Sequence, residues 1–311
     1  MGRLVCDKVT KVYGKGATAL DKVSFNVPAS GIFALIGRNG AGKTTLVRIL
    51  TTELMLSSGK ATIDGVDVTN DPSTIRDMVA IVPQEARLLM WTTPKQFILA
   101  YLLYRGYGYK EAVERAAEAV KRVKIEKFAD KQSQHLSGGT KRKALVAAVI
   151  AAEAKILFLD EPTTGLDPIS RGELWAMLNQ LKKDHFIFLT THYLEEAERL
   201  ADMIGIIEDG KLLAIGTLDN LRKKVKHEYS VRILQKGINV RLREGEVVTG
   251  LDGHRQILTT EREANRISQG LIKRGIRFSS SPISLEEIFY YLTKKSIDIA
   301  DEEKEGNGGW Q

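Results

Sequence analysis

Apolar and polar residues alternate through residues 4–12 and again through 23–27, the two-residue period of half-buried strands. The run Ile32-Phe33-Ala34-Leu35-Ile36 breaks the alternation because every position is apolar, and a strand apolar on both faces belongs inside a covered sheet. Two more runs of that texture, 156–159 and 186–189, flank a stretch over about 168–183 that predicts a helix, with Asp167 as its cap and Pro168 in its first position. Buried strands alternating with helices predict a parallel α/β sheet. An Ala-rich, aromatic zone over about 90–152 predicts a helical subdomain. After residue 222 the texture changes to short strand-like runs at 229–234, 238–242 and 256–260, a helix over 261–274, a further strand, and a helix from Ser284. The expected organisation is therefore a domain over 1–222, a small α+β domain over 223–297, and an acidic, Gly-rich tail over 298–311 expected to be disordered.

Composition narrows the function classes. Apolar residues make up 43% of the 311 positions against 27% charged, which excludes a disordered or collagen-like chain. No window approaches the 18 or so apolar residues of a membrane span, and the first residues lack a signal peptide's apolar run. The single cysteine, Cys6, allows no intrachain disulfide, so a reducing cytosol is the expected setting. A formal charge of +7 is compatible with an anionic partner but too small to select one.

The sharpest chemistry lies in Gly37-Arg38-Asn39-Gly40-Ala41-Gly42-Lys43-Thr44, followed by Thr45, which has the spacing G-x-x-x-x-G-K-[ST] of a phosphate loop and sits between a buried strand and a helix. Glycines at this spacing let successive backbone N–H groups curl around phosphate oxygens, and the helix N-terminus adds partial positive charge. Lys43 is expected to reach the β- and γ-phosphate oxygens and the Thr44 hydroxyl to hold Mg²⁺. Asp160 closes the 156–159 run, so its carboxylate emerges at the carboxyl end of a buried strand, suited to the magnesium shell. Glu161 follows, and strand alternation predicts that it faces the other way, available to polarise water as a general base.

With Leu136-Ser137-Gly138-Gly139-Thr140 upstream of Asp160, the pattern resembles the ATP-binding-cassette family. Gln84 resembles that family's Q-loop, Thr164-Gly165-Leu166-Asp167 its D-loop, His192 its switch histidine, and Tyr13 the aromatic that stacks on adenine; plain strand packing is the alternative for Tyr13. The resemblance covers about residues 3–222 and implies a P-loop NTPase fold: a parallel-sheet core, an N-terminal antiparallel region and a helical subdomain. It implies a Mg²⁺-dependent ATPase with Glu161, His192 and Gln84 at the chemistry, and with Thr44, Gln84 and Asp160 around the metal. It also implies a head-to-tail dimer, with an identical or paralogous subunit, in which Ser137, Gly138 and Gly139 complete the partner's site. The sequence departs from the usual signature at Thr140, where glutamine is commonest, and in the continuation Lys141-Arg142-Lys143. The clusters at 141–143 and 222–226 read as solvated faces.

Among cassette proteins, one cassette without a long insertion points away from soluble machines acting on nucleic acid or ribosomes, which stand as the alternative. Trp91, Phe97, Tyr101, Tyr104, Tyr107 and Tyr109 read either as a docking surface for an integral membrane permease or as helical core. The segment 284–293 resembles the C-terminal part of drug-resistance (ABC-2 type) exporter ATPases. The expectation is a peripheral motor at the cytoplasmic face of the membrane, with no nucleic-acid partner.

Overall fold

The computed structural model describes residues 2–225, 227–235, 238, 240–249 and 255–293. The chain divides between Leu212 and Leu213 into two compact units. That division precedes residue 222, where the texture changes, and falls inside the strand Lys211–Gly216. The tail over 298–311 lies outside the described residues.

The first unit begins with β1 (Arg3–Val12), β2 (Thr18–Pro28) and β3 (Ile32–Ile36), followed by α1 (Lys43–Leu50), β4 (Ser58–Ile63), β5 (Val66–Asp67), α2 (Pro72–Met78) and β6 (Val79–Val82). Then come α3 (Pro94–Tyr104), α4 (Tyr109–Arg122), α5 (Gly138–Ala151), β7 (Ile156–Asp160), α6 (Pro168–Leu181), β8 (Phe186–Thr191), α7 (Leu194–Leu200), β9 (Met203–Glu208) and β10 (Lys211–Gly216), the last crossing the division.

An antiparallel sheet runs in the order β2-β1-β4-β5. Its alternation shifts by one residue in β1: Leu4 and Cys6 are buried, then Val9, with Lys8 in the left-handed region (φ 50) at the register shift. The central sheet runs β10-β9-β3-β8-β7-β6, with the pairs among β9, β3, β8, β7 and β6 parallel. Every residue of β3, β7 and β8 is buried, as their unbroken apolar runs predict. Phe33, Phe188 and Phe158 form an aromatic row across these three strands, with ring centroids 5.1 and 5.2 Å apart.

Because β3, β8 and β7 are neighbours, the loops leaving their carboxyl ends open side by side. The helices α3, α4 and α5 pack on one another, with Ala112, Ala116 and Ala119 giving α4 a face smooth enough for close approach. At the end of α3, the Arg105 guanidinium donates to the carbonyls of Arg76 and Val79, both at 2.9 Å, binding that helix to the start of β6.

The second unit contains α8 (Leu218–Arg222), β11 (Tyr229–Ile233), β12 (Glu246–Thr249), β13 (Arg255–Thr259), α9 (Glu261–Lys273), β14 (Phe278–Pro282) and α10 (Leu285–Thr293). Its antiparallel sheet runs β12-β13-β11-β14, and Ala264, Ile267 and Leu271 of α9 pack on Val231, Ile233 and Ile257. Of the strand expected over 238–242, the described residues 238 and 240–242 carry no strand. Ile238, Val240 and Leu242 instead pack on this core without joining the ladder, and the pairing is made by Glu246–Thr249. Alternation reports one buried face, which irregular backbone also satisfies.

Candidate functional site

The phosphate loop leaves β3 and closes on Gly42, whose φ of 103 is a left-handed conformation that a side chain resists. A Cβ there would lie 2.6 Å from the Ala19 carbonyl oxygen, and one on Gly37 2.3 Å from that of Ile207, so the cradle requires glycine at both. Asn39 and Gly40 are exposed, Arg38 and Thr45 half-buried, and Ala41 is buried. Lys43 opens α1 with only 4% of its surface exposed, and its Nζ donates to the carbonyls of Gly37 (2.9 Å) and Arg38 (3.1 Å).

The same Nζ lies 3.1 Å from Glu161 Oε1. The other oxygen, Oε2, meets His192 Nδ1 at 3.1 Å, Gln84 Nε2 at 3.3 Å and Thr164 Oγ1 at 3.3 Å. Three sequence-predicted residues, Lys43, Gln84 and His192, thus converge on the carboxylate of a fourth, Glu161. Burial pushes the Glu161 carboxyl up, but the hydrogen bond with His192 and the nearby Lys43 ammonium outweigh it and bring it to about 2.

The geometry corrects the expectation for Glu161. Strand parity would send Asp160 and Glu161 to opposite faces, but β7 ends at Asp160 and Glu161 has a φ of 48. This left-handed step turns its side chain toward Lys43, and both acids serve one site. The Glu161 amide donates to the carbonyl and the hydroxyl of Thr190, at 3.1 and 3.0 Å, which fixes the step from the neighbouring strand β8.

Asp160 accepts hydrogen bonds from the hydroxyls of Thr190 and Thr44; burial nevertheless pushes its carboxyl up. The Thr44 hydroxyl, the Asp160 carboxylate and the nearby Gln84 side chain supply oxygen donors of the kind Mg²⁺ takes when phosphates complete its shell. This donor set, beside a loop only glycine can form, fits a magnesium-nucleotide complex.

Tyr13 lies just past β1 with 40% of its surface exposed, its hydroxyl 3.5 Å from Thr45 Oγ1 beside the loop. A ring so placed is available for stacking. The signature residues stand apart from this cluster. Ser137 caps α5, its Oγ accepting from the Thr140 amide at 3.2 Å, while the Thr140 hydroxyl lies 2.9 Å away. Ser137 and Gly138 are exposed, whereas Gly139 is buried, and a Cβ there would lie 2.4 Å from Ser170 Oγ on α6. Asp167 caps α6, accepting from the amides of Ile169 and Ser170 at 3.0 Å.

Two residues of this neighbourhood escaped the sequence reading. Arg142, expected on a solvated face, is only 9% exposed, and Lys143 of the same cluster pairs with Glu173 at 2.7 Å. Glu196 is fully buried, accepting from Trp175 Nε1 at 2.9 Å and Thr163 Oγ1 at 3.1 Å, with burial raising its carboxyl. The available signal was helical position: Arg142 is three residues after buried Gly139 and four before buried Val146, and Glu196 four before buried Leu200.

A family model described as ABC transporter matches residues 20–164. The daunorubicin/doxorubicin resistance ATP-binding protein DrrA of Streptomyces peucetius is 32% identical over 319 residues, covering 95% of this chain and 96% of that protein, so the likeness includes the second unit. ABC transporter A family member 7 of Dictyostelium discoideum is 38% identical over 71% of the chain, which spans 26% of that longer protein. Among solved structures, an ATP-binding subunit of an ABC transporter aligns with a TM-score of 0.62 and 29% identity, over 71% of this chain and 92% of that one. A dimeric ATP-binding cassette bound to ADP and Pi shares the fold, with a TM-score of 0.63 and 24% identity over 69% of this chain and 98% of that one. The chain therefore belongs to the ATP-binding-cassette transporter family, as one of its ATP-binding, ATP-hydrolysing subunits.

Proposed function

We propose that this subunit is the motor of a membrane exporter, binding ATP as a dimer at the cytoplasmic face and driving a separate integral permease. The observation that carries the chemistry is the convergence of Lys43, Gln84 and His192 on the buried Glu161 carboxylate. The phosphate loop from Gly37 to Thr45 takes the phosphates, Lys43 the β- and γ-oxygens, and Tyr13 the adenine. Bound through Thr44, Asp160 and Gln84, Mg²⁺ supplies charge neutralisation on the phosphates. Glu161 accepts a proton as water attacks the γ-phosphorus; the bond to the β-bridging oxygen breaks, and ADP and inorganic phosphate leave. His192, held against the same carboxylate, orients the water and the γ-phosphate.

The Lys43–Glu161 pair gives the sequence of events a physical basis. With Lys43 on its carboxylate, Glu161 is a weak base; phosphates that draw Lys43 away remove one of the groups holding its pKa down. The exposed start of α5 stands apart from the Lys43–Glu161 cluster, and a helix N-terminus favours anions, which fits its use by a partner's γ-phosphate.

Support for a permease partner is narrower than the aromatic count implied. Trp91, Tyr104 and Tyr109 are exposed at 65%, 91% and 68%, but Phe97, Tyr101 and Tyr107 are half-buried, and the Tyr107 hydroxyl donates to the Ala152 carbonyl. The docking surface is assigned to the exposed set, joined by Met90 and Leu103. Among the described residues no helix is long and apolar enough to cross a membrane, so transport needs a second polypeptide or segment. The export direction rests on the resemblance to DrrA.

The test is Glu161→Gln. It should retain ATP binding and lower turnover by about 10²–10⁴-fold, the usual contribution of a general base. Hydrolysis at the parent rate would remove Glu161 from the role.

A further inference from the structure

We infer that Arg142 is a positioning residue for hydrolysis, holding the main chain of Glu161 in place from the signature helix; the inference rests on Glu161 being the base. Arg142 lies in the second turn of α5, on the inward face that Gly139 and Val146 also occupy. Its Nη2 donates to the Glu161 carbonyl oxygen at 3.3 Å. Arg142 is 9% exposed, and its Nη1 is buried with no hydrogen-bond partner among the described residues.

An apolar side chain would satisfy this position's place in the helix at no desolvation cost. Replacing a buried ion by a packed apolar group is often neutral or stabilising, so packing does not account for an arginine here. Its surroundings do. The carboxylates of Asp160, Glu196 and Glu161 attract the guanidinium, offsetting the burial that works against its charge. What it grips is the carbonyl of a residue in the left-handed region, a conformation that costs a non-glycine residue about 1–2 kcal/mol and must be held from outside. Thr190 holds the amide of Glu161, and Lys43, His192, Gln84 and Thr164 meet its carboxylate. Its carbonyl has Arg142 and, at 3.4 Å, the Thr164 amide. Without the guanidinium the peptide unit after Glu161 loses a charged anchor, and the carboxylate samples positions away from the attacking water.

Such a loss acts on the chemical step and not on nucleotide capture, since the hydrogen bond of Arg142 is to the Glu161 main chain and not to the phosphate loop. Arg142→Met keeps the stem and removes the charge; Arg142→Gln keeps a polar head too short to reach. Both should lower kcat about 10- to 100-fold, the scale of a misplaced reacting group, with KM for ATP within about threefold of the parent. Arg142→Lys, retaining the charge, should recover part of that loss. Single-turnover hydrolysis normalised to bound ATP confines the measurement to folded molecules. Parental turnover in either neutral variant overturns the inference, as does a fall in affinity that accounts for the whole loss in kcat/KM. Glu161→Gln run alongside separates the two readings. If it is inactive while Arg142→Met is parental, only the positioning role fails; if it is itself fully active, the base assignment fails first.

Discussion

Glu161→Gln also makes a thermodynamic prediction for the nucleotide-free protein. A carboxyl that ordinarily titrates near 4.5 and is held at about 2 by the fold stabilises the folded, ionised form by about 3 kcal/mol, at about 1.4 kcal/mol per pH unit. Glu161 is 4% exposed, so solvent screening does not reduce this figure much. The magnitude matches the roughly 3–5 kcal/mol lost when one partner of a buried ion pair is removed, here leaving Lys43 with carbonyls alone. For a unit of this size about 1 kcal/mol moves the midpoint by about 2–4 °C, so the variant should melt about 6–12 °C below the parent at pH 7. The sign with pH follows from the depressed value. The contribution is complete above the unfolded value near 4.5 and lost as pH falls toward 2, so the gap should shrink over that range. Asp160, whose raised value has the opposite slope, is present in both proteins and drops out of the comparison to first order. Differential scanning calorimetry from pH 3 to 8, with and without ATP, is the assay, and saturating ATP should narrow the gap because phosphates replace Glu161 beside Lys43. Equal midpoints at pH 7 without nucleotide, or a gap independent of pH, would refute the assigned coupling.

Other outcomes follow from the same geometry. Ser137→Arg should abolish ATP-dependent dimerisation, read by light scattering in the Glu161→Gln background, because it sets bulk and charge at the exposed start of α5; an undiminished dimer would exclude the signature from the interface. Trp91→Glu with Tyr104→Glu should release a co-purifying permease while leaving basal hydrolysis within about twofold, and retention of the permease would move docking elsewhere. Truncation after Gly216 should leave ATP affinity within about tenfold, about 1.4 kcal/mol, since every site residue precedes the division at Leu212; loss of binding in a folded truncation would show that the second unit builds part of the site.

Local chemistry was legible in the sequence wherever one short segment performs it. The phosphate loop needs only glycines at fixed spacing between a strand and a helix, and Gly37, Gly42 and Lys43 take up those duties. Asp160 was legible for a similar reason, as the polar end of an apolar run. Glu161 was recognised as an acid beside it but assigned the wrong direction, because parity holds only while the strand continues and its left-handed step is imposed by Thr190, 29 residues away. Arg142 and Glu196 were hidden because charge is the strongest local signal of exposure. Their burial depends on partners in other elements, Glu161 for one and Trp175 with Thr163 for the other. The aromatic zone misled in the opposite sense: Tyr101 and Tyr107 resemble Tyr104 in sequence, and only tertiary packing separates them.

The clasp made by Arg105 has a mechanical consequence. Its guanidinium ties the end of α3, beside fully outward-facing Tyr104, to the last turn of α2 and the first residue of β6. Gln84 lies two residues beyond the end of that strand, and its amide touches the Glu161 carboxylate. A load applied to the outer end of α3 would therefore pass through one helix, one guanidinium and one short strand to the contact between Gln84 and Glu161. The same route would run in reverse: in the proposed reaction, a shift of the Glu161 carboxylate would be passed back to Tyr104.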